Sequence, residues 1–569
     1  MSSTSTSVST HDRAWPDRWW HLSATGLFFA AAYFLISMSP SLLPRTWYYQ
    51  GVISGLCAAA GYGLGVVLAW VVRGLARLVR LRVSVSRETE HVLRVILPIL
   101  SVVAVVALTA SNVRSQGRTA EFLGLSPLRP VDWVGAIAVA VALAALLLAI
   151  ARGLRRATHR LAEAAGQVLP RTLASIVAVV VVGTATLWLS DNVLFHQGMQ
   201  AMAASAAQMN ARQPAGRSVP ASAFVSGGPG SRESYASLGY QGQMFVTSVS
   251  QASLIRAATG RTAKEPIRVY AGRGDDRTIE QVADAVVAEL RRTRAFERKV
   301  LAVITTTGTG WVDDWSAKAI EYLSDGDSAI AAMQYSYVPS AVALLTDRET
   351  PREAGRVLFE RIEAEISTLP EDRRPRLVVG GESLGSYGGH AAFVDSDDML
   401  RRADGGVWVG TPSFTGIHAE LTGARTPGSP AIAPVIDDGW HFRFATRAEE
   451  LTHDYYGRDY GEWSFPRYVY AQHPSDPVVW WNPSILGAEP DWLREPRGRD
   501  VNPDVTWIPF VTFWQLTTDM AVGHDPADGF GHRYGAELVP AWGAVLGGEP
   551  DDDYSRIIAG VQQAVHRAQ

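Results

Sequence analysis

Ser383 stands in Gly381-Glu382-Ser383-Leu384-Gly385, a G-x-S-x-G pattern that follows the apolar run 376–379 and precedes 386–392, which reads as the start of a helix. Strand, sharp turn and helix form the setting in which a serine hydroxyl is held out at the carboxyl edge of a sheet as a nucleophile. The flanking glycines have a physical reason, because the strained turn brings backbones so close that a side chain would collide. A serine is a weak nucleophile until a histidine takes its proton and a carboxylate orients that histidine, and in this setting the chain order is Ser, then Asp or Glu, then His. Asp476, in Ser475-Asp476-Pro477 just past the Val- and Tyr-rich run 467–471, is the predicted acid, with Asp437, Asp438 and Asp519 as alternatives. His532, in Gly531-His532-Arg533-Tyr534 before the last helix, is the predicted base, with His524 as the alternative. His390 and His453 read as structural or surface residues.

Attack on a carbonyl creates an oxyanion that needs backbone N–H donors, one from the residue after the nucleophile and one from a loop after an early strand. Leu384 supplies the first, and Thr307 and Gly308, in the Thr/Gly-rich loop 305–311, are predicted to supply the second. No Gly-Lys-Ser/Thr follows that loop, so it does not read as a nucleotide site. No cofactor or metal is expected, since the single cysteine, Cys57, cannot close a disulfide within the chain or build a zinc site by itself. Glu382, Asp313 and Asp314 either offer negative charge to a substrate ammonium or are solvated or paired with arginines. Trp480, Trp481, Trp492, Trp507 and Trp514 have three readings: an acyl pocket, a bilayer interface or packing.

These residues need elements to hold them, and the chain has room for several units. It has 569 residues, 47% hydrophobic and only 19% charged, yet its mean hydropathy is +0.03, which implies a very apolar region joined to an ordinary soluble one. A net charge of −4 leaves no overall basic field for nucleic acid. In the C-terminal half, 267–270, 300–305, 376–379 and 467–471 read as strands and 279–293 and 351–368 as helices. That alternation predicts a mostly parallel sheet with helices on both faces. The Gly-, Pro- and aromatic-rich stretch 410–465 reads as a lid inserted over the site.

In the N-terminal half, Arg45 is the only Asp, Glu, Lys or Arg between Trp19 and Val72. About 20 mostly apolar residues cross a bilayer, and spans are predicted at 22–38, 52–72, 92–110, 133–151 and 172–189. This gives a transmembrane helical bundle of about five spans over 21–208, after a cytoplasmic tail 1–20 containing Arg13 and Arg18, with a linker at 209–242 and the catalytic domain at 243–569. Gly61, Gly63 and Gly65 are expected to let helix backbones approach closely. Arg73, Arg77, Arg80, Arg82 and Arg87 follow the second span and Arg152, Arg155, Arg156 and Arg160 the fourth, which marks those loops as cytoplasmic. The catalytic domain is then predicted on the outer side of the cell membrane.

Together these motifs, with Leu238-Gly239-Tyr240-Gln241-Gly242, Thr307-Gly308-Thr309-Gly310-Trp311 and the Trp480-Trp481 pair after Asp476, resemble a bacterial family of α/β-hydrolases with an N-terminal multi-span membrane domain. The resemblance implies an α/β-hydrolase fold with Ser383 as nucleophile, Asp476 as orienting acid and His532 as base. It also implies esterase or lipase activity on a lipid or other ester, related to enzymes that remove an aminoacyl group from phosphatidylglycerol. Acyl transfer to an envelope acceptor would use the same triad. A non-catalytic transport or assembly module would instead keep its function in Ser383→Ala.

Overall fold

The computed structural model describes residues 22–78, 87–274 and 276–568. The predicted tail 1–20, with Arg13 and Arg18, and Arg80 and Arg82 after the second predicted span lie outside the described residues.

Strands β1 (Ile267–Ala271), β2 (Val300–Thr305), β3 (Ser328–Met333), β4 (Arg376–Glu382), β5 (Gly405–Val409), β6 (Phe442–Ala445) and β7 (Arg467–Ala471) form one seven-stranded sheet in the order β1-β3-β2-β4-β5-β7-β6. Every pairing is parallel. Strands such as Val300–Thr305 are buried along their length and carry continuous apolar runs, as a sheet covered on both faces requires. Alternate residues feed two cores: Ala302, Ile304, Val378 and Val407 meet Trp542 on one face, while Leu301, Val303, Leu377 and Val379 meet the helices Ile279–Arg292 and Glu349–Ser367 on the other.

The stretch 410–465 differs from the predicted lid. It contributes β6 to the sheet edge, where Phe442 stacks on Tyr468 at 5.4 Å and Phe444 on Tyr470 at 4.5 Å. Its aromatic residues were legible as apolar surface seeking cover, and the cover they find is β7. The stretch 209–242 also packs on the sheet, with Val225 bridging to Arg268 and Ser226 Oγ donating to the buried Glu289 at 3.2 Å.

In the N-terminal half, a helix coincides with each predicted span: α1 (Ala24–Ser37), α2 (Trp47–Leu78), α3 (Arg87–Phe122), α4 (Pro130–Ala165) and α5 (Arg171–Leu189), which runs through a π turn into α6 (His196–Asn210). Among the described residues, three helices are long and apolar enough to cross a membrane: Trp47–Leu78, Pro130–Ala165 and Arg171–Asn210. Ala24–Ser37 is apolar but shorter. Gly61 and Gly65 seat α2 against α1, where added methyl groups would lie 2.5 and 2.6 Å from the carbonyls of Phe29 and Thr25. Gly63 faces open space, contrary to the sequence expectation, because it sits off the face that Gly61 and Gly65 share at four-residue spacing.

The sheet holds a costly group at its edge. Arg268 on β1 is fully buried, and its Nε donates to Glu321 Oε1 at 2.5 Å and its Nη1 to the Phe245 carbonyl at 2.7 Å. Arg268→Met would strand the Glu321 carboxylate and is expected to cost about 3–5 kcal/mol, measured as a lowered midpoint in denaturant unfolding of the detergent-solubilised chain.

Candidate active site

The carboxyl ends of β2, β4, β5 and β7 converge on one cavity of about 550 Å³. Ser383 sits where β4 turns into the helix Leu384–Gly389, with φ 56° and ψ −120°. A non-glycine residue at that φ is strained, and the surroundings hold it there: its N–H donates to the Val409 carbonyl at 2.9 Å. A methyl group on Gly381 would lie 2.6 Å from the Gly385 carbonyl carbon, and one on Gly385 would lie 2.3 Å from the Thr305 oxygen. The turn is therefore as tight as its sequence suggests.

Asp476, after β7, and His532 come together across the end of the sheet. His532 Nδ1 lies 2.7 Å from Asp476 Oδ2. The carboxylate also accepts the Tyr534 hydroxyl at 2.8 Å and, on Oδ1, the Val478 N–H at 2.8 Å. The two supporting loops are cross-linked beside this pair. His473 Nδ1–H donates to the Gly531 carbonyl at 2.9 Å, the Gly531 N–H donates to Ser475 Oγ at 2.9 Å, and Ser475 Oγ–H donates to Asp500 at 2.5 Å. His473 stacks on Tyr534 at 4.1 Å. A backbone of glycine makes room for the base, since a methyl group on Gly410 (φ +55°) would lie 2.6 Å from His532 Cε1.

Ser383, Leu384 and His532 all line the cavity. His524 lines it as well, its ring 5.1 Å from that of His532, but the Asp476 carboxylate is taken by His532. Among the alternative acids, Asp519 is paired with Arg45, and Asp437 and Asp438 lie in a left-handed turn before β6. His390 is buried between the Ser386 carbonyl at 2.7 Å and the Tyr470 hydroxyl at 2.8 Å, and His453 is half-exposed beside Asp459.

The predicted oxyanion donors part company. Leu384 opens its helix, where the first N–H groups lack intrahelical partners. Thr307 and Gly308 do lie at the end of β2, but the Thr307 N–H donates to the Trp311 carbonyl at 3.0 Å and the Gly308 N–H to Ser340 Oγ at 3.2 Å. The tight loop spends its N–H groups on its own closure and on the helix Ser340–Thr346. Of the predicted tryptophans, Trp480, Trp481 and Trp492 are buried in a core with Leu42, Leu43 and Leu123 of the helical half. The tryptophan that lines the cavity is Trp311.

Matching this geometry, residues 267–556, half of the chain, match the alpha/beta-hydrolase family, and residues 38–249 match the N-terminal region of such a family. The chain belongs to the alpha/beta-hydrolase family. Among solved structures, this hydrolase is similar to Trichoderma reesei cutinase in complex with a phosphonate inhibitor, 14% identical over 43% of this chain and 85% of that one with a TM-score of 0.19, a likeness too slight to bear on activity. No curated protein matches the sequence.

The hydrolase carries a second cavity of about 370 Å³ that shares Trp311, Glu382, His524 and His532 with the first. Its walls include Asp313, Asp314 and Asp528, together with Arg533 and His566. Glu382 is buried at the junction, 3.8 Å from His532 Nε2, and burial together with Asp313, Asp476 and Glu537 holds its carboxyl well above the usual range. Burial also pushes Asp313 up to about 6, against the Ser316 and Trp315 N–H groups it caps. Asp314 is paired with Lys318 at 3.1 Å and Asp528 with Arg533 at 2.5 Å, so these two carboxylates are matched by cations.

The Tyr534 hydroxyl donates to the carboxylate of Asp476, which also holds His532 Nδ1. Tyr534→Phe removes that hydrogen bond and is expected to slow labelling of Ser383 by a fluorophosphonate about tenfold, the worth of one hydrogen bond to a charged group. Gly410→Ala drives a methyl group into the His532 ring and is expected to slow labelling by about 10²-fold, the cost of a misplaced reacting group.

Proposed function

We propose that this hydrolase is a membrane-anchored serine esterase that cleaves a carboxylic ester through Ser383, Asp476 and His532. The observation that carries the reading is the strained Ser383 sharing one cavity with a histidine whose Nδ1 is held 2.7 Å from Asp476. Ser383 Oγ attacks the ester carbonyl carbon while His532 Nε2 takes its proton, and Asp476 holds the ring in the required tautomer and balances the imidazolium. The Leu384 N–H receives the developing oxyanion, and Thr307, which reaches the cavity with its N–H already committed, offers its hydroxyl as the second donor. His532 then returns the proton to the departing alkoxide. Water, activated by the same ring, releases the acyl group from Ser383.

The two cavities support a substrate with an apolar part and a cationic part. Leu344, Pro339, Pro412, Val478, Met520 and Ala521 line the larger one, while the buried carboxyls of Glu382 and Asp313 face the smaller, where Asp314 and Asp528 are paired with Lys318 and Arg533. An ammonium close to the scissile carbonyl would meet Glu382 and favour its ionised form. An aminoacyl ester of a membrane lipid, such as aminoacyl-phosphatidylglycerol, combines these features. Anchoring through the apolar helices would keep the site beside the bilayer, where lipid is concentrated, and the arginine-rich second and fourth loops support a catalytic domain on the outer side.

The test is hydrolysis of neutral short-chain, phospholipid and aminoacyl esters by the detergent-purified full chain. Ser383→Ala, Asp476→Asn and His532→Ala are each expected to lose about 10⁴-fold or more in kcat. Glu382→Gln is expected to lose the preference for the cationic acyl group while keeping hydrolysis of neutral esters. Full biological function in Ser383→Ala would overturn the reading in favour of a binding module, and an alcohol ester formed in preference to the free acid would make the enzyme a transferase.

A further inference from the structure

The catalytic domain does not merely hang from the helical half. The loop between α1 and α2 enters it: Leu42 and Leu43 are 1% exposed, in a core with Trp480, Trp481, Leu516 and Val522. Arg45 follows at 2% exposure, with Nε 3.7 Å from Asp519 Oδ1. Its Nη groups donate to the carbonyls of Ser37 at 3.2 Å and Ser39 at 2.8 Å, so the one arginine ties the end of α1 to the catalytic domain. From the other side, Asp519 Oδ2 accepts the Leu43 N–H at 3.3 Å, and Gln515 Nε2 donates to the Ser39 carbonyl at 3.0 Å.

Asp519 ends the helix Val511–Asp519, and the chain runs directly into Met520, Ala521 and His524, which line the catalytic cavity. The His532 N–H donates to the Gly523 carbonyl at 2.8 Å, which closes 523–532 into one loop. Leu43 reaches the residue before His532: its Cδ2 lies 3.4 Å from where a methyl group on Gly531 would be. The end of α3 supports the same loop, with Phe122 6.4 Å from Phe530. Asn502 Nδ2 donates to Thr119 Oγ1 at 2.7 Å nearby.

We infer that Arg45 and Leu43 are positioning residues for catalysis, through which the helical half holds the His532 loop against Ser383. The inference rests on the proposed esterase reading for its kinetic test, though not for its structural one. A buried ion pair can often be replaced by apolar residues with little change in stability, whereas removal of one partner leaves an uncompensated charge. The paired substitution Arg45→Met with Asp519→Leu therefore separates position from stability. In the detergent-purified full chain it is expected to keep the melting temperature while the limiting rate of fluorophosphonate labelling of Ser383 falls by about 10²-fold, the cost of displacing a reacting group by about 1 Å. Half-saturation by the phosphonate should stay the same, and Arg45→Lys, which keeps the charge, should retain most of the rate.

Leu43→Ala leaves the ion pair intact and opens space beside Gly531; it is expected to show the same split between rate and half-saturation. Independently of any labelling, hydrogen exchange of the 523–532 amides should speed up in both variants while that of β4 and β5 is unchanged. Wild-type exchange at 523–532 in both variants would overturn the inference, as would a wild-type labelling rate in both. Failure of the wild-type chain to label would count against the esterase reading instead, and exchange would still decide this one.

Discussion

The active-site architecture depends on one close approach, that of the helix after Ser383 to the ends of β2 and β4. Gly381 and Gly385 let backbone meet backbone at distances that leave no room for a methyl group. That contact holds Ser383 at φ 56° on the wall of the cavity. The strain is sustained because the sheet beneath is buried on both faces and parallel throughout, so Thr305, Gly381 and Val409 cannot shift independently. A serine at the same place on a looser turn would relax to negative φ and withdraw its Oγ toward the strand.

Asp476 and His532 are held by a different principle. Neither lies on a rigid element: Asp476 caps the short helix Pro477–Trp480 and His532 stands in an irregular loop. Their relative position comes from buried hydrogen bonds that cross between the two loops through His473, Ser475, Asp500 and Tyr534. Inside a protein such networks are worth more than in water and cost more when incomplete. The candidate site accordingly combines a stiff, strained Ser383 with a His532 that is well placed only while its neighbours are satisfied.

How much of this could be read beforehand follows from where each interaction lies along the chain. The run of β4, its glycines and the helix start are contiguous, so strand, turn and nucleophile were legible from sequence. Asp476 and His532 could be nominated from order and loop position, and the structure places their side chains 2.7 Å apart. The support of that pair was not legible, because Tyr534 reaches back to Asp476 and Gly410 lies beside His532 only once distant strands are neighbours. Strands β3, β5 and β6 were missed for a related reason: Ser328–Met333 and Gly405–Val409 are small or glycine-rich runs whose strand character comes from their neighbours, and Phe442–Ala445 is stabilised by stacking on β7. The Thr/Gly loop was rightly placed after β2, yet its N–H groups could not be assigned without seeing Trp311 and Ser340.

Arg45 shows the same limit in another form. Counted along the sequence it is a loop charge, one of the arginines whose distribution sets the orientation of spans. In the folded chain it is a buried group whose partner is 474 residues away by position, Asp519 of the catalytic domain. Arg118, in the stretch before the fourth predicted span, is similarly paired with Asp504, and Arg129 with Asp132. Arg45, Arg118 and Arg129 are therefore matched by carboxylates, whereas Arg114 donates to the Ala110 carbonyl and Arg73 and Arg77 at the end of α2 stand exposed. The loop at 39–46 and the end of α3 at 115–122 also touch the catalytic domain directly, so a bilayer cannot pass between them and it. Any arrangement in the membrane must keep those segments and the candidate site on one side, a constraint that follows from contact rather than from counting charges.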